Sequence, residues 1–258
     1  MSLKISIITC TWNSAKYLPR SIESVLRQDY PHIEYIFVDG GSNDGTLALI
    51  NAIPRPVVCV TGIRGGISNA MNKGIELATG DVVANLHSDD YYQHGQVVGR
   101  AAGVLEESGA EWCFGRSKDD IGGEVKGEPW RVPHYSYRRL LKGNFIPHPS
   151  VFVRRRVFCN LGMFDVSYRY AMDYDMWLRI GQIHKPVQVD EHWAVFRRHA
   201  GSTSTANQRE AFAEDFKVRM SHVKATAPWE YPYHYAHFLF RRYRLLRQLR
   251  KSQSQVLC

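Results

Sequence analysis

The strongest fold signal in this sequence is the segment Val82-Val83-Ala84-Asn85-Leu86-His87-Ser88-Asp89-Asp90. Its apolar residues predict a buried strand that ends in two adjacent carboxylates. Ligands of open α/β sheets bind in the crevice beyond the carboxyl ends of the strands. Because Asp89 and Asp90 would repel each other there, a divalent cation bridging to a phosphorylated ligand is the natural candidate. Taken alone, however, the pair is more typical of a solvated Ser-Asp-Asp turn.

The residues before this segment alternate between strand and helix patterns. Strands are predicted over 4–11, 33–38 and 57–60, and helices follow Pro19, Asp44 and Ser68. Such βαβ alternation predicts a mostly parallel sheet covered by helices on both faces. Beyond residue 111 glycine and proline become frequent, and short strands are expected there. Later patterns predict a helix over 173–183, a strand over 187–198 and a helix over 208–223.

Composition argues against several classes of protein. The chain has 258 residues, of which 44% are hydrophobic and 22% charged, as is ordinary for a globular protein with a full core. No apolar run approaches the ~20 residues that span a bilayer, and the apolar stretch 3–10 is too short for a signal peptide. The five cysteines are scattered and odd in number. This pattern argues against a disulfide framework or a structural zinc site and favours a reducing cytoplasm.

The net charge of +8 is concentrated near the C-terminus. Six basic residues follow one another there without an intervening acid: Arg241, Arg242, Arg244, Arg247, Arg250 and Lys251. Subtracting these six from +8 leaves +2 for the rest of the chain. The body is therefore close to electrically balanced.

The same segment has helical amphipathic spacing. One face of a helical wheel carries Tyr235, Phe238, Leu239, Leu245, Leu246 and Leu249, and the basic residues lie opposite or at its flanks. A basic amphipathic helix over 235–251 can lie on an anionic membrane surface. The alternative is a helix that packs its apolar face on the body and solvates its charges. Nucleic-acid binding is not expected, because no recognition motif accompanies the basic patch.

Polar clusters follow three of the predicted strands. They are Thr9-Cys10-Thr11, Asp39 and the pair Asp89-Asp90, and in a parallel sheet all three meet at one edge. A strand-end carboxylate such as Asp39 can accept a base N–H and so select a nucleotide. The loop over 39–46 contains glycines that let the backbone approach a ligand closely. It is not a Walker loop, because no Gly-Lys-Ser/Thr follows.

Four stretches together carry a family resemblance. They are Ile5-Ser6-Ile7-Ile8-Thr9-Cys10-Thr11-Trp12-Asn13, Phe37-Val38-Asp39-Gly40-Gly41-Ser42-Asn43-Asp44-Gly45-Thr46, Gly66-Ile67-Ser68-Asn69-Ala70-Met71-Asn72-Lys73-Gly74-Ile75 and the segment from Ala78 to Asp90. In this order they resemble inverting family-two glycosyltransferases with the GT-A fold, of the bacterial cell-surface polysaccharide type. The match spans residues 3–205, and its combined motifs are highly specific.

The resemblance implies a nucleotide-sugar donor, most often a uridine one, held by the N-terminal half. Thr9, Thr11 and Asp39 would contact the base and ribose, and Arg198 would pair with phosphate. The other donor-binding residues implied by the resemblance are Asn13, Asn69, Lys73 and Ser88. Asn69 stands where an aspartate is frequent in the family.

A metal site is also implied by the resemblance. Asp89 matches the last acid of the family's DXD motif, which binds Mn²⁺ or Mg²⁺ on the diphosphate. His87 stands where the first acid often is, which leaves its role open. Val195-Phe196-Arg197-Arg198-His199-Ala200-Gly201-Ser202-Thr203-Ser204 resembles the family's late loop, so His199 would complete the metal shell.

Catalysis is assigned by the resemblance to the segment Tyr170-Ala171-Met172-Asp173-Tyr174-Asp175-Met176-Trp177. The family usually has Glu-Asp where this chain has Met172-Asp173, and Asp173 is taken as the catalytic base. Asp175 is the rival, although two positions along a helix point it about 200° away. His148, Asp90 and Trp177 are expected on the acceptor side, Trp177 mainly in packing.

Three regions follow from this comparison. Residues 1–110 are the expected donor-binding half, 111–205 the acceptor-binding and catalytic half of the same GT-A domain, and 206–258 a helical extension. The implied reaction builds cell-envelope polysaccharide by moving one sugar to a hydroxyl of a glycan or lipid-linked acceptor. The expected location is cytoplasmic, on the inner face of the cytoplasmic membrane through the basic helix. The alternatives are a sugar nucleotidyltransferase and a catalytically silent nucleotide-binding or membrane-scaffold protein.

Overall fold

The computed structural model describes residues 2–127, 132–199 and 207–256, within which the chain forms one mixed sheet with helices on both faces. The strands are β1 (Ile5–Thr11), β2 (Ile33–Asp39), β3 (Val58–Val60), β4 (Val82–Asn85), β5 (Tyr91–Tyr92), β6 (Trp112–Ile121), β7 (Glu124–Lys126), β8 (Val151–Arg154) and β9 (Val187–Arg198). Their order across the sheet is β3-β2-β1-β4-β8-β6-β9-β5, and β7 pairs with β6. The predicted α/β class with a mostly parallel central sheet is confirmed.

Strand direction determines which chain ends meet. β1, β2, β3 and β4 are mutually parallel, whereas β8 is antiparallel to both β4 and β6. Two reversals bring β6 back to the direction of β1, and β9 runs parallel to β6. The carboxyl ends of β1, β2, β4, β6 and β9 therefore all point to one edge of the sheet.

Helices cover two separate apolar cores. They are α1 (Leu18–Leu26), α2 (Thr46–Asn51), α3 (Ile67–Leu77), α4 (Val97–Ser108), α5 (Tyr137–Leu140), α6 (Arg155–Leu161), α7 (Met172–Ile183), α8 (Gln208–Thr226) and α9 (Tyr231–Val256). One core lies beneath α1, α2 and α4, and the other beneath α3, α5, α6, α7 and α8. This two-layer cover is why the parallel strands are apolar throughout rather than alternating.

The predicted elements of the first hundred residues are confirmed within one or two positions, with one difference at β4. The strand ends at Asn85 rather than at the acidic pair. The Leu86 amide still bonds to the Ile8 carbonyl, and the Asp90 amide then closes a turn on the His87 carbonyl. The acidic pair thus lies on a loop beyond the strand.

Of the strands beyond residue 111, β7 and β8 are short, as expected, whereas β6 is long. β6 spans Trp112–Ile121 and β9 spans Val187–Arg198, as predicted for the latter, and they are the longest strands in the described sheet. β6 contains several polar residues and Gly115, so its sequence lacks the apolar pattern that predicts a long strand. A Cβ at Gly115 would lie 2.6 Å from the Trp193 ring, so the close approach of β6 to β9 requires glycine there.

The C-terminal helix divides its apolar residues differently from the helical wheel. Phe238 stacks on Phe216 of α8 at 3.6 Å between ring centroids, so it faces the body. Leu239, predicted on the same face, is 46% exposed. Arg241 of the predicted basic face lies half-buried against Gly143, because the helix docks through its Phe238 side. The side chains of Leu249, Arg250 and Lys251 lie outside those described.

Candidate active site

A crevice lies beyond the carboxyl ends of β1 and β4, where the chain segments that follow these two strands leave the sheet in opposite directions. β1 leads outward through β2 to β3, and the chain then returns across the sheet to β4 on the other side of β1. Such a switch point leaves a gap between the two loops that follow these strands. Ser14, after β1, and Ser88, after β4, approach each other across it through a 3.0 Å hydrogen bond.

Asp39 closes one end of the crevice. Its Oδ1 accepts the amides of Gly41 and Ser42, and its Oδ2 accepts the hydroxyls of Thr11 and Ser42. Burial alone would raise the pKa of this carboxyl, but these hydrogen bonds bring the pKa below its ordinary value. Thr11 therefore lies beside Asp39, as the strand-end pattern predicted, and the carboxylate is held ionised in one orientation.

Asn13 ties the two loops around Asp39 together. Its amide donates to the Ser42 hydroxyl, and its side-chain oxygen accepts the Asn43 amide. It is the one non-glycine residue with positive φ (+49°) among the described residues, a conformation that asparagine tolerates better than most. The tight turn after β1 therefore depends on this residue.

Trp12 is a candidate donor-site residue that the sequence analysis quoted but did not select. Its indole is 74% exposed, although its Cβ and Cγ lie within van der Waals distance of the Cβ that Gly40 lacks. An exposed indole beside the Asp39 carboxylate offers a flat stacking surface. Its position directly after a strand-end Thr could have identified it from the sequence.

Thr9, an expected base and ribose contact, is fully buried, and its hydroxyl donates to the Leu86 carbonyl at 2.8 Å. The side chains of a strand alternate between its two faces, so Thr9 and Thr11 share a face but differ in depth. Thr9 therefore supports the loop that carries the acidic pair, and its contact with a donor stays a prediction.

Asp89 meets a histidine from the far end of the sheet. Its Oδ2 lies 3.0 Å from Nε2 of His199, which follows β9 directly. Both side chains remain part-exposed, and the His199 ring also packs on Tyr17. Within the described ranges, no group of three or more His, Cys, Asp and Glu side chains is placed to hold a metal ion. The protein supplies a pair of metal-type ligands here rather than a preformed cage.

Asp90 does not face the acceptor side, contrary to expectation. It is 1% exposed, and its Oδ1 accepts the Arg197 amide. Burial and the neighbouring Asp89 raise the pKa of Asp90 well above its ordinary value. The reason is its position after the turn, where the chain enters β5 beneath β9. Asp90 ties the acidic loop to the end of β9.

Two further acids were missed because they lie within an irregular stretch. Asp119 accepts Nε of Arg198 at 2.6 Å, and Asp120 accepts the Tyr91 hydroxyl and Nε of Arg197. Both acids are buried and come from β6, which pairs with β9 in this register. Arg198 was expected to pair with a phosphate of the donor, and in the structure it forms an ion pair with Asp119.

The remaining donor-side predictions lie on α3. Asn69 donates to the Arg64 carbonyl and holds the glycine-rich loop before the helix, whereas Lys73 pairs with Glu76. Arg64 itself is exposed and approaches Gly41 of the Asp39 loop. Arg64 is therefore a cationic neighbour of the crevice that the sequence analysis did not consider.

Asp173 lies at the start of α7, part-exposed among buried neighbours. Its Oδ2 accepts the Asn144 amide group at 3.1 Å, and its Oδ1 accepts the Tyr174 amide. Burial raises the pKa of Asp173 to about 6, and the Asp215 charge adds to the rise. Such a carboxyl is well suited to accept a proton near neutral pH.

Asp175, the rival base, has a structural role. It accepts Nε of Arg179 and pairs with Nε2 of His222 on α8. Although burial would raise it, these partners lower the pKa of Asp175, which makes it a poor proton acceptor. Its direction away from Asp173 on the helix agrees with the 200° argument.

Two expected acceptor-side residues, His148 and Trp177, form an aromatic platform together with His87. The His87 and His148 rings stack at 4.7 Å between centroids, and His148 also packs on Trp177 at 5.8 Å. Trp177 is 2% exposed and stacks on Trp112, so its role is mainly packing, as predicted. Burial lowers the pKa of both histidines, which keeps them neutral. The sequence left the role of His87 open, and in the structure its ring stacks on that of His148.

Comparison with known proteins identifies the family. The sequence profile of Glycosyl transferase family 2 matches residues 6–160. The chain belongs to glycosyl transferase family 2. This family 2 enzyme is 31% identical over 179 residues to a PGL/p-HBAD biosynthesis glycosyltransferase of Mycobacterium bovis, with 67% of this chain and 68% of the relative covered. The resemblance seen in the motifs is thus confirmed, and the chain is an inverting glycosyltransferase.

Solved structures of the same fold extend the comparison. S. aureus TarS 1–349 in complex with UDP-GlcNAc aligns at a TM-score of 0.71 and 18% identity, covering 91% of this chain and 70% of TarS. The mannosyltransferase PcManGT from Pyrobaculum calidifontis, in complex with GDP-Man and Mn²⁺, aligns at 0.63 and 16% identity, covering 100% and 81%. These similarities confirm the GT-A fold expected for the family 2 enzyme.

Within the described part of this family 2 enzyme, the helices are unsuited to crossing a membrane. None of its helices combines the length and apolar character that a span requires. The 26-residue α9 fails because its apolar residues are interrupted by arginines.

Proposed function

We propose that the enzyme transfers a sugar from a UDP-sugar donor to a hydroxyl of a glycan or lipid-linked acceptor, with a divalent metal at the diphosphate. The observation that carries the proposal is the meeting of Asp89 and His199 at 3.0 Å beside the crevice of β1 and β4. Ligands bind at such switch points in α/β folds. TarS, which has the same fold, binds UDP and UDP-GlcNAc.

On the donor side, the proposed base pocket consists of Asp39, Thr11 and Trp12. A uracil stacked on the exposed Trp12 ring would place an edge toward Asp39, whose carboxylate accepts hydrogen bonds only. A base N–H would replace one of the two hydrogen bonds that the Asp39 carboxylate now accepts from the hydroxyls of Thr11 and Ser42. Five further residues remain proposed parts of the donor site. They would act by holding its loops or by supplying charge, and they are Asn13, Ser88, Asn69, Lys73 and Arg198.

The metal proposal fits the donor atoms present. Asp89 would hold the metal through a carboxylate oxygen, the ligand type that Mn²⁺ and Mg²⁺ prefer, and His199 would add an imidazole nitrogen, a weaker ligand for these hard cations. PcManGT, which has the same fold, is seen with Mn²⁺. When bound, the metal would neutralise charge on the departing diphosphate. A histidine binds a metal through a ring nitrogen that carries no proton, so metal binding at this pair would depend on pH.

Asp173 is the proposed catalytic base. It would remove the proton from the acceptor hydroxyl as that oxygen attacks the anomeric carbon, while the bond from this carbon to the diphosphate breaks. The single displacement inverts the anomeric centre, so an α-linked donor gives a β-linked product. Asn144 fixes the carboxylate orientation by donating to Oδ2. The platform of His87, His148 and Trp177 would border the acceptor.

The proposed membrane contact is peripheral and uses the helix over 235–251. Its outward face presents Tyr243 at 64% and Phe240 at 58% exposure, next to the exposed Arg242, Arg244 and Arg247. Aromatic rings and one-signed basic charge together suit an anionic membrane surface. Such a contact would bring a lipid-linked acceptor to an enzyme acting at the inner face of the cytoplasmic membrane.

Donor turnover tests the enzyme proposal. Release of UDP is measured from UDP-glucose, UDP-galactose and UDP-GlcNAc, and release of GDP from GDP-mannose, each with Mn²⁺ and with EDTA. We expect Mn²⁺-dependent release from one UDP-sugar and its loss in Asp89→Ala. Release from GDP-mannose alone would overturn the uridine assignment. Nucleotide binding without any release would favour the silent nucleotide-binding protein.

Vesicle sedimentation tests the membrane proposal separately. The protein is mixed with vesicles of phosphatidylcholine alone or with 30% phosphatidylglycerol, a composition of about one anionic lipid in three. We expect binding to the anionic vesicles only and its loss in the triple variant Arg242→Glu, Arg244→Glu, Arg247→Glu. Equal recovery of the parent and the variant in the supernatant would refute the contact.

A further inference from the structure

α8 lies beyond the residues matched by the family profile, yet it contacts the segment that carries the proposed base. The carboxylate of Glu214 accepts three successive backbone amides: Arg169 at 2.9 Å, Tyr170 at 2.5 Å and Ala171 at 2.7 Å. These residues lead directly into α7, whose second residue is Asp173. One side chain therefore fixes three consecutive peptide units immediately before the base.

The start of α7 needs such an external partner. Ala171 occupies the N-cap position and its side chain offers no cap, although Asp173 accepts the Tyr174 amide within the first turn. The amides of Arg169, Tyr170 and Ala171 come just before the helix and have no partner within it, and an unsatisfied buried amide costs about 1–3 kcal/mol. Hydrogen bonds to an ionised carboxylate are the strong kind, so Glu214 both satisfies and orients this segment.

The same helix holds the other side of Asp173. Arg219, one turn after Glu214, is fully buried and donates to the Lys142 carbonyl at 2.8 Å. Lys142 is two residues before Asn144, which donates to Asp173. α8 therefore contacts both chain segments that contact the base.

We infer that Glu214 is a positioning residue for the reaction, acting through the segment 169–171 to hold Asp173 at the acceptor hydroxyl. The inference rests on the proposed function of Asp173 as the base. A displacement of about 1 Å at a reacting group can cost about 100-fold in rate, whereas Glu214 makes none of the hydrogen bonds that hold Asp39. Loss of Glu214 should thus lower turnover and leave nucleotide affinity unchanged.

The test compares Glu214→Ala and Glu214→Gln with Glu210→Gln. Glu210 is an exposed acid one turn earlier on the same helix and is the matched control. UDP release from UDP-GlcNAc, UDP-glucose and UDP-galactose gives kcat and KM, and calorimetry with UDP and Mn²⁺ gives Kd. We expect kcat to fall about 10- to 100-fold in Glu214→Ala and less in Glu214→Gln, which keeps one accepting oxygen. UDP Kd should stay within twofold of the control.

Hydrogen exchange of the amides in 169–175 supplies a second readout, which should rise in both Glu214 variants. A kcat for Glu214→Ala within twofold of the control would overturn the inference, as would a parallel loss of UDP affinity and kcat. Asp173→Asn is measured alongside. If it retains UDP release, the base assignment fails. If it is inactive while the Glu214 variants are normal, the positioning role alone fails. If Glu214→Ala does not fold, Glu214→Gln decides by the same criteria.

Discussion

Nε2 of His199 lies 3.0 Å from Oδ2 of Asp89, although 110 positions separate the two residues in the sequence. The contact closes the sheet edge between the loop after β4 and the end of β9. It depends on the parallel pairing of β6 with β9, which points the end of β9 toward the crevice. Two segments that are far apart in the sequence therefore contribute to one candidate site.

Asp89→Ala and His199→Ala should each weaken Mn²⁺-dependent binding of UDP. Each variant removes one of the two proposed protein ligands. Loss of a partner that merely supports a metal ligand typically costs 10- to 100-fold in affinity, so a drop of at least about tenfold is expected. Calorimetric titration of UDP with and without Mn²⁺ measures the effect. His94→Ala is the control, because His94 pairs with Glu191 away from the crevice. Equal Mn²⁺ dependence in parent and variants would contradict the metal assignment.

Trp12→Ala should weaken UDP binding by about 1–3 kcal/mol, the range for stacking of a base on an aromatic ring. Trp229→Ala is a matched control, because Trp229 is 75% exposed and Trp12 is 74% exposed. Trp229 lies between α8 and α9, outside the crevice. Fluorescence titration with UDP measures both Kd values. The same affinity in the two variants would remove Trp12 from the donor site.

Asp173→Asn should abolish turnover and stabilise the fold at neutral pH. Burial raises the pKa of Asp173 to about 6 from 3.8, so the ionised form is disfavoured in the folded state. A rise of about two pKa units corresponds to roughly 3 kcal/mol, an upper limit for the gain when the charge is removed. Thermal unfolding at pH 7.5 measures the stability. Asp175→Asn should instead destabilise the protein, because it disrupts pairing with Arg179 and His222. A fall in Tm for Asp173→Asn would contradict the raised pKa.

The donor half could be predicted because its signals are local. Apolar strands, a glycine-rich loop and polar strand ends predict Thr11, Asp39 and Asp89 at one edge of the sheet. The bond from the Thr9 hydroxyl to the Leu86 carbonyl could not be predicted, because depth along a strand depends on what packs above it. Asp90 was misassigned because a single turn decides which of two adjacent acids faces inward.

The second half was harder because its important contacts join distant residues. Asp120 lies in a polar run that resembles a loop, and only the pairing of β6 with β9 brings it to Arg197. Glu214 carries no motif, and its role follows from the docking of α8 on the start of α7. Such long-range contacts have no periodic signal in the sequence.

The pH dependence of turnover should follow the ionisation of Asp173. A base must be deprotonated to accept the acceptor proton, so its action is present above its pKa and lost as the pH falls through that value. With a pKa of about 6, kcat should be half-maximal near pH 6 and level above pH 7. Initial rates of UDP release between pH 4.5 and 8.5 measure the profile under saturating donor. A rate that is constant down to pH 5 would exclude a base with this raised pKa.

Asp120→Asn should destabilise the fold more than an exposed control. Asp120 is 1% exposed and accepts Tyr91, Arg197 and the Gly123 amide, and these partners hold its pKa below the ordinary value despite burial. Removing the charge leaves Arg197, itself buried, without this acid, at a cost of about 3–5 kcal/mol by analogy with broken buried pairs. Asp190→Asn, whose side chain is 87% exposed in its pair with Arg116, should cost less than about 1 kcal/mol. Urea unfolding at pH 7.5 compares the two variants.

The lowered pKa means that the folded state favours the ionised form of Asp120, and this stabilisation is lost as the acid becomes protonated. The difference in unfolding free energy between the parent and Asp120→Asn should therefore narrow as the pH falls below about 4. Equal midpoints for the two variants would show that the buried acid does not hold the end of β9.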